Sequence, residues 1–268
     1  MISFAERISA LEKQGYANAP AMAKLAHDVV LKALEKSGFA EHITIKGGIV
    51  MGSITGDVRR ATMDMDVDFI HYGLSNGEID GWIARLNCMD GIRITRNGGI
   101  EELRQRNYHG KRVYLNIEDS AGVVITTKLD IGVHVHEEMQ QRPRSFSISL
   151  DDPTAVLPAN SGEQIFVEKL KSLLRLGARS ARPKDVFDMY YLIGRMDGET
   201  VRKYISLLVF DDGEMRESNF NAICNRLRIV FSSQAYVKRL DDKRANWLNV
   251  SPKTVISELI GFLANLEK

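Results

Sequence analysis

Three aspartates at alternate positions, Asp64, Asp66 and Asp68, are the residues of this sequence best suited to chemistry. Residues two apart on a β-strand point to the same face, so a strand that starts near Met63 would present all three carboxylates together. Carboxylates on one face repel each other and favour no ordinary core. A divalent cation among the carboxylates would offset this repulsion, because Mg2+ binds one or two carboxylates together with substrate phosphates. The other interpretation is the solvated outer face of an edge strand.

A pair of glycines lies upstream of these aspartates, after the apolar and alternating segment Ile43-Thr44-Ile45, which is typical of a short strand. Gly47 and Gly48 have no side chain, so backbone N–H groups at these positions can approach a phosphate closely. A helix-like run over residues 49–55 and a basic turn lead from the glycines to the aspartates. Glycines and carboxylates in this order indicate a site for a nucleoside triphosphate.

The segment 123–133 has the clearest strand pattern of the sequence, and it carries charged residues near its centre. Lys128 and Asp130 would share one face, with apolar residues on the other. Strand centres are normally covered, so charged residues there need a reason. A surface ion pair between these two residues is one interpretation, and it would contribute little to stability. His134 and His136 are expected to continue the strand, and a zinc site is the less favoured interpretation of this pair.

The second half of the sequence has helical periodicity and carries a second group of charged residues. Residues 163–176 predict an amphipathic helix in which Lys169 lies beside the apolar face, where its amine can extend to water. Pro183 suits the first turn of the next helix and places Asp185 in that turn, where the helix dipole favours a carboxylate. Asp188 lies three residues further, on the same side. The positions expected to face inward on this helix are Val186, Met189, Tyr190 and Ile193.

Cations are concentrated in three parts of the sequence. Strands predicted between residues 92 and 118, with turns at Gly98-Gly99 and His109-Gly110, carry Arg93, Arg96, Arg104, Arg106, Lys111 and Arg112. The loop before the helix of Asp185 carries Arg175, Arg179, Arg182 and Lys184. The C-terminal region carries Arg226, Arg228, Lys238, Arg239, Lys243 and Arg244, which we expect on a solvated face. For the first two groups, a solvated face is one interpretation and a surface for nucleotide or RNA phosphates is the other.

The composition is that of a globular protein with one or two domains. The chain has 268 residues, of which 44% are hydrophobic and 26% charged, and its formal net charge is +1. With so small a net charge, local basic patches would have to bind any nucleic acid. Two distant cysteines without metal-type spacing, no apolar run of membrane-spanning length and no signal-peptide pattern predict a reduced, cytoplasmic protein that has no membrane partner.

The polar, proline-containing segment 151–160 is the predicted domain boundary, because strand-like alternation disappears beyond it. Residues 1–150 are expected to form an α/β catalytic domain and residues 160–268 a helical domain. His27 is expected to be a surface residue or a satisfied core residue. The remaining predicted helices cover residues 3–14, 20–37, 75–87, 200–210, 214–231 and 251–266.

Two motifs taken together resemble a known family. The glycine pair, a helix and then Arg60-x-Thr62-x-Asp64-x-Asp66 at the start of a strand resemble the nucleotidyltransferase fold of the DNA polymerase β superfamily. The form with Lys46-Gly47-Gly48 is similar to the AbiEii/AbiGii toxin family. Glu168-Lys169-Leu170 followed by Arg182-x-x-Asp185-x-x-Asp188-x-Tyr190-x-Leu192 resembles the second half of that family's signature, in which the lysine and the first of these aspartates belong to the active site.

The resemblance implies an α+β fold in which a polymerase β-like nucleotidyltransferase domain with a mixed sheet is followed by an α-helical domain. It implies transfer of NMP from an NTP to an acceptor, with Mg2+ or alternatively Mn2+ as the cofactor. The implied catalytic residues are Asp64, Asp66, Asp130, Lys169 and Asp185, of which the first three bind the metal. The implied nucleotide-binding residues are Gly47, Gly48, Ser53, Arg60, Thr62 and Lys169.

The resemblance also implies a role for each of these groups. The glycine pair would hold the triphosphate, Asp130 would take the proton of the acceptor hydroxyl, and Arg60 and Lys169 would neutralise the leaving pyrophosphate. Asp185 would orient Lys169 or the base end of the nucleotide. Gly52-Ser53 also fits the spacing ahead of the aspartates, so the choice of phosphate-binding glycines stays open. Asp68 has no assigned role.

Family resemblance implies the toxin of a toxin–antitoxin or abortive-infection system, with tRNA 3′ ends as the acceptor and a separate antitoxin as a partner. A small-molecule or protein acceptor is the first alternative, because the fold does not fix the acceptor. A non-catalytic RNA-binding or partner-binding module is the alternative of a different class. The complete set of acids and the lysine opposes it, since a module without catalysis has no reason to keep costly neighbouring carboxylates.

Overall fold

The structure, a computed structural model, describes residues 3–105 and 108–267, and the side chains of residues 104–109 lie outside this description. The chain divides between Asn160 and Ser161 into two compact units. The first unit holds all the strands of the described residues, and the second is helical. The predicted α+β class, a mixed sheet followed by helices, is therefore confirmed.

The first unit combines a mixed sheet with helices. Its strands are β1 Ile43–Lys46, β2 Asp64–Phe69, β3 Ile92–Arg96, β4 Glu101–Gln105, β5 Tyr108–Asp119, β6 Val124–Val133, β7 Arg142–Ser147 and β8 Thr154–Ala159. Its α-helices are α1 Phe4–Lys13, α2 Asn18–Lys36, α3 Gly47–Thr55 and α4 Asn76–Arg85. Short 3-10 helices cover Ala40–His42 and Val58–Arg60. The predicted helices over 3–14, 20–37, 49–55 and 75–87 are thereby confirmed.

The strands follow the order β3-β5-β6-β2-β1-β8-β7, and β4 pairs with β5 along the same edge as β3. β2 runs parallel to β6 and antiparallel to β1, so the aspartate strand lies in the middle of the sheet. The predicted break at Gly98-Gly99 is confirmed between β3 and β4. The predicted turn at His109-Gly110 is wrong, because Gly110 lies within β5 and pairs with Leu103.

The interior of the first unit fixes the register of β2. Met65, Val67 and Phe69 are fully buried on one face of this strand, and Leu129 and Ile131 of β6 are buried beside them. A slip of one residue would turn these side chains out of the core, so the hydrophobic pattern specifies the pairing strongly. The aspartates must then lie on the opposite face.

The segment 151–160, the predicted domain boundary, contains a strand that was not predicted, and the two units divide at its end. Thr154–Ala159 forms β8, which pairs antiparallel with β7 and parallel with β1. Its buried positions Ala155, Leu157 and Ala159 alternate, but Pro158 and the short length hide this pattern in the sequence. Strand β7 was not predicted either.

The second unit is built from helices, and each except α6 begins at a polar capping residue. They are α5 Gly162–Leu176, α6 Lys184–Leu192, α7 Gly198–Ile205, α8 Phe220–Phe231, α9 Gln234–Leu240 and α10 Pro252–Asn265. A 3-10 turn covers Gly177–Arg179, and a π-helical segment covers Ser206–Phe210. The predicted helix over 214–231 begins later than expected because Asn219 accepts the Ala222 N–H and caps α8. Helix α9, which Ser233 caps, was missed.

The structure describes the state of both cysteines and the length and polarity of the helices. Cys88 and Cys224 are both free thiols. Within residues 3–105 and 108–267, no helix is long and apolar enough to cross a membrane.

Replacement of Asp119 should destabilise the first unit. Burial alone would raise the pKa of this carboxyl, but the backbone N–H groups of Phe4, Val123 and Ala121 donate to it and hold its pKa below the ordinary value. Asp119→Ala should lower the free energy of unfolding by about 1.5–3 kcal/mol at pH 7. Urea denaturation followed by the fluorescence of Trp82, in a Trp247→Phe background, would measure it.

The pH dependence of this effect follows from the sign of the pKa shift. A carboxyl whose pKa is lower in the folded state stabilises above its unfolded pKa of about 3.9 and loses this stabilisation as the pH falls through its folded pKa. The difference between Asp119→Ala and the native chain should therefore shrink below about pH 4. Replacement of the exposed Asp90 by Ala is the control. An equal loss at acidic and neutral pH would contradict this account.

Candidate active site

A row of charged residues crosses the sheet at one level. Lys46 of β1, Asp66 of β2, Asp130 of β6 and Arg112 of β5 are successive register partners. Neighbouring strands lie about 4.7–4.9 Å apart, so these side chains emerge next to one another on the same face. The structure thus brings Asp66 and Asp130, which are distant in sequence, to adjacent positions. Their role as metal ligands stays a prediction.

Cations from the same sheet pair with the carboxylates. The guanidinium of Arg112 donates from Nε and Nη2 to the two oxygens of Asp130, at 2.7 and 2.8 Å. The Asp130 carboxylate therefore raises the pKa of Arg112 above its ordinary value. Lys128 Nζ lies 2.8 Å from Asp64 Oδ1. The predicted surface pair is therefore replaced by two different pairs, because Asp130 faces Arg112 while Lys128 is the register partner of Asp64.

Asp68, to which the sequence assigned no role, is a buried counter-ion. Its side chain is 6% exposed, and Lys46 Nζ lies 2.6 Å from its Oδ1. Lys46 is the last residue of β1 and immediately precedes the glycine pair. Asp68 therefore fixes the side chain that stands at the start of α3.

The glycine pair brings the start of α3 against the aspartate strand. Gly47 has φ +65°, and a Cβ there would overlap with Asp66 Oδ2. A Cβ on Gly48 would lie 2.6 Å from Thr62 Oγ1. Within the described part of the chain, the residue before this helix provides no side-chain cap, and the N-terminal N–H groups and dipole of the helix favour anions. A Cβ on Gly52 would meet nothing within 4 Å, so Gly47 and Gly48 are the glycines at the carboxylate face.

The other predicted nucleotide-binding residues of the first unit lie within this helix or between it and β2. Thr62 Oγ1 donates to the Asp64 carbonyl at 3.3 Å, directly before β2. Arg60 ends the 3-10 helix Val58–Arg60 and is only 4% exposed. Ser53 is half-buried within α3. Their contacts with a nucleotide stay predictions.

His27 lies in the core of the first unit, close to the start of β2. Burial, and then the charge of Lys24, lower its pKa to about 4, whereas Asp64 and a hydrogen bond with the backbone of Met63 act in the opposite direction. The imidazole is therefore neutral at physiological pH. Of the two expectations, the core position is confirmed, but the residue is only partly satisfied, because His27 Nε2 is buried without a hydrogen-bond partner among the described residues.

The histidine pair after β6 does not form the predicted strand extension. β6 ends at Val133, although the N–H of His134 still donates to the Phe69 carbonyl at 2.9 Å. Among residues 3–105 and 108–267, no group of three or more His, Cys, Asp or Glu side chains is arranged to hold a metal ion. The zinc interpretation of His134 and His136 therefore gains no support from neighbouring ligands.

Lys169 forms the centre of a charged cluster inside the second unit. Its side chain is 12% exposed, it pairs with Asp185, and its Nζ lies 3.0 Å from Asp188 Oδ2. Asp188 is fully buried, so the expectation of a lysine extending to water is wrong. Asp185 lies in the first turn of α6, as predicted. Burial, with Asp185 as the second cause, raises the pKa of the nearby Tyr236 to about 12.

The expected inward positions of α6 are confirmed only in part. Val186 and Met189 are buried, as are Phe187 and Leu192, which the sequence did not single out. Tyr190 is half-buried, and Ile193 follows the last residue of the helix. The helix is therefore enclosed on more sides than an amphipathic pattern predicts.

Arginines of the second unit hold the loop between α5 and α6. Arg239 Nη1 donates to the Ser180 carbonyl at 2.9 Å, and its other amine reaches the Ala178 carbonyl. Arg226 donates to the Leu174 carbonyl at 3.4 Å. These two residues are structural, in contrast to the predicted solvated face. The exposed cations of this region are Arg179 and Arg182, which follow α5, and Arg175 in the last turn of α5, whose Nη2 lies 3.8 Å from Glu214 Oε2.

Half of the cations predicted on β3 to β5 form ion pairs with neighbouring acids. Arg96 Nε lies 2.8 Å from Asp80 Oδ1, Lys111 pairs with Glu102, and Arg112 binds the aspartate described above. The side chains of Arg104 and Arg106 lie outside the described residues. Ion pairs therefore account for half of this group, and no uninterrupted phosphate-binding surface follows from it.

Comparison with known proteins identifies the class. A family model described as "Nucleotidyl transferase AbiEii toxin, Type IV TA system" matches residues 29–249, which is most of the chain. The chain therefore belongs to the AbiEii family of nucleotidyltransferases, the toxins of type IV toxin–antitoxin systems. The predicted family and enzyme class are confirmed. This membership implies an NTP substrate and an antitoxin partner.

A solved structure of an antigenic nucleotidyltransferase-like protein from Paracoccidioides brasiliensis also matches. It is 19% identical, with a TM-score of 0.36, and the match covers 84% of this chain and 96% of that chain. No curated protein matches this chain significantly.

Gly48→Ala and Gly52→Ala form a matched pair on α3. A methyl group at position 48 overlaps Thr62 Oγ1 and must displace the residues that lead into β2, so we expect a loss of about 1–3 kcal/mol in the free energy of unfolding. At position 52 the methyl group meets open space, and alanine should stabilise the helix by about 0.5–1 kcal/mol. Urea denaturation would measure both, and equal effects of the two variants would contradict the proposed contact.

Lys169→Met should destabilise the second unit strongly. It leaves the fully buried Asp188 without its cation, and removal of one partner from a buried ion pair costs about 3–5 kcal/mol. Fluorescence of Trp247 in a Trp82→Phe background isolates the second unit. A loss below about 1 kcal/mol, the range of exposed ion pairs, would contradict the buried cluster.

Proposed function

We propose that this enzyme transfers a nucleotidyl group from an NTP to the 3′ end of tRNA, with Mg2+ as its cofactor. The observation that supports the proposal most directly is the juxtaposition of two carboxylates and a helix N-terminus. Asp66 and Asp130 are register neighbours, and the uncapped start of α3 lies against Asp66 at Gly47. This arrangement offers oxygen ligands for a cation beside N–H donors for phosphate.

The donor set fits a hard divalent cation. Mg2+ needs one or two carboxylates and takes its other ligands from water and substrate phosphates, so a cage of three protein side chains is not required. Asp66 and Asp130 would hold the ion, with Asp64 two residues away on the same face of β2. When bound, such an ion neutralises phosphate charge and stabilises the attacking and leaving oxygens of an in-line displacement.

The residues of the first unit would act on the two ends of the reaction. The N–H groups at Gly47 and Gly48 would bind the triphosphate, and Arg60 would neutralise the leaving pyrophosphate. Asp130 would accept the proton of the acceptor hydroxyl as its oxygen attacks the α-phosphorus. These assignments follow the family signature and agree with the contact of the glycine pair with the aspartate strand.

The second unit would supply Lys169 and Asp185. By resemblance to the family signature, both residues would belong to the active site, where the ammonium group would neutralise pyrophosphate. The ion pair between Lys169 and Asp185 supports an orienting role for the carboxylate. The exposed residues Arg175, Arg179 and Arg182 of the same unit would provide sequence-independent contacts with RNA phosphates.

An RNA acceptor agrees best with the toxin family, because modification of tRNA 3′ ends would block translation in the cytoplasm. A small-molecule or protein acceptor is the alternative, since the fold alone does not fix the acceptor. Asp68 would act only as the counter-ion of Lys46.

A transfer assay with each of the four labelled NTPs, Mg2+ and total bacterial tRNA tests the proposal. The native chain should label tRNA, and Asp66→Asn should reduce the rate at least about a hundredfold, because a metal ligand contributes several kcal/mol to transition-state stabilisation. Asp80→Asn, which removes a carboxylate that pairs with Arg96 on the surface, is the matched control and should remain active.

Two results would contradict parts of this proposal. Undiminished transfer by Asp66→Asn would exclude the carboxylate face as the catalytic centre. Labelling of small molecules or proteins instead of tRNA would show that tRNA is not the acceptor.

To test the second unit, Lys169→Arg is preferable to an alanine variant, because it keeps a cation beside the buried Asp188.

A further inference from the structure

The carboxylate face contains positive charges as well as negative ones. Cations lie beside three of its aspartates: Lys128 beside Asp64, Lys46 beside Asp68 and Arg112 beside Asp130. These cations offset much of the negative charge of the face. A free divalent cation would therefore meet much less negative potential than four carboxylates alone would create.

Arg112 and Lys128 occupy the oxygens that a metal would need. The guanidinium uses both oxygens of Asp130, and the ammonium group uses Oδ1 of Asp64. At contact distances of 2.7–2.8 Å, these cations and a metal ion would repel each other strongly if all remained in place. Binding of the metal requires that at least one of them moves away from its carboxylate.

These two cations can move without disturbance of the core. The side chains of Arg112 and Lys128 are 28% and 26% exposed, and both project from the face opposite the buried apolar residues of β6. The pair of Lys46 with Asp68 differs, because that carboxylate is 6% exposed and lies deeper. The two exchangeable pairs are therefore those at the positions of the proposed metal ligands.

We propose that Arg112 and Lys128 are internal counter-ions that a metal must displace, so that the site takes a divalent cation only as its complex with a nucleoside triphosphate. The triphosphate supplies the negative charge that a free ion lacks. It also supplies new acceptors for the displaced side chains, because a guanidinium fork matches phosphate oxygens well. The inference rests on the proposed function and assigns these two residues a role in substrate selection.

Calorimetric titrations with free Mn2+, and with preformed complexes of Mn2+ and the α,β-methylene analogues of the four nucleoside triphosphates, test this proposal. The native chain should bind the complex of one analogue at least tenfold more tightly than free Mn2+. Arg112→Gln and Lys128→Gln remove one competing charge each and should bind free Mn2+ at least tenfold more tightly than the native chain.

Two control variants separate local charge from other effects. Arg112→Lys keeps the positive charge and should bind free Mn2+ as weakly as the native chain does. Lys111→Gln removes a cation from the adjacent position of β5, where it pairs with Glu102, and should also leave the affinity for Mn2+ unchanged. Circular dichroism and thermal unfolding would verify that each variant is folded.

The outcomes distinguish this inference from the proposed function. Native affinity for free Mn2+ equal to that for the complex would overturn the inference and leave the nucleotidyltransferase mechanism intact. Unchanged or weaker binding of free Mn2+ by Arg112→Gln would overturn it as well, since the arginine would then position Asp130 and not compete with the metal. Failure of the native chain to bind any of the complexes would refute the metal-dependent function itself.

Discussion

Repulsion among four aspartates on one face of a β-sheet is the constraint on which the first unit depends. Like charges at neighbouring register positions destabilise a sheet unless cations or ligands compensate them. The opposite face of β2 and β6 is fully buried, so the register cannot slip to separate the carboxylates. Arg112 and Lys128 provide the compensation from β5 and β6. Hydrophobic packing thus brings the carboxylates together, and cations of the same sheet reduce the repulsion among them.

The second unit also brings carboxylates close together, and here helices carry them. Lys169 pairs with two aspartates, one of which is fully buried in the interior of this unit. Well-packed hydrophobic residues would often be at least as stable as such a cluster, so its presence at the family motif favours a functional explanation. Arg226 and Arg239, which bind carbonyls of the adjoining loop, keep the connection between α5 and α6 in place.

Local patterns predicted the elements that carry the site, but not their partners. Alternation identified β2 and β6, and helical periodicity identified most helices, because both signals reside within one segment. The choice of Asp64 as the partner of Lys128 depends on the parallel register of two strands, which neither strand encodes alone. Gly110 suggested a turn, but it lies within a strand. A Cβ at this position would lie 3.0 Å from a backbone carbonyl oxygen of β6. Burial of Lys169 likewise required tertiary contacts that an amphipathic pattern does not contain.

The central claim is that the paired strands β2 and β6 form a metal-dependent nucleotidyl transfer centre. Determination of where the metal binds would test this claim most directly. Crystals of the chain with Mn2+ and a non-hydrolysable NTP analogue, measured at the manganese absorption edge, would show the ion by anomalous scattering. The account predicts a peak between the carboxylates of Asp66 and Asp130, with the triphosphate at the start of α3. A bound nucleotide whose manganese peak lies away from both carboxylates would contradict it.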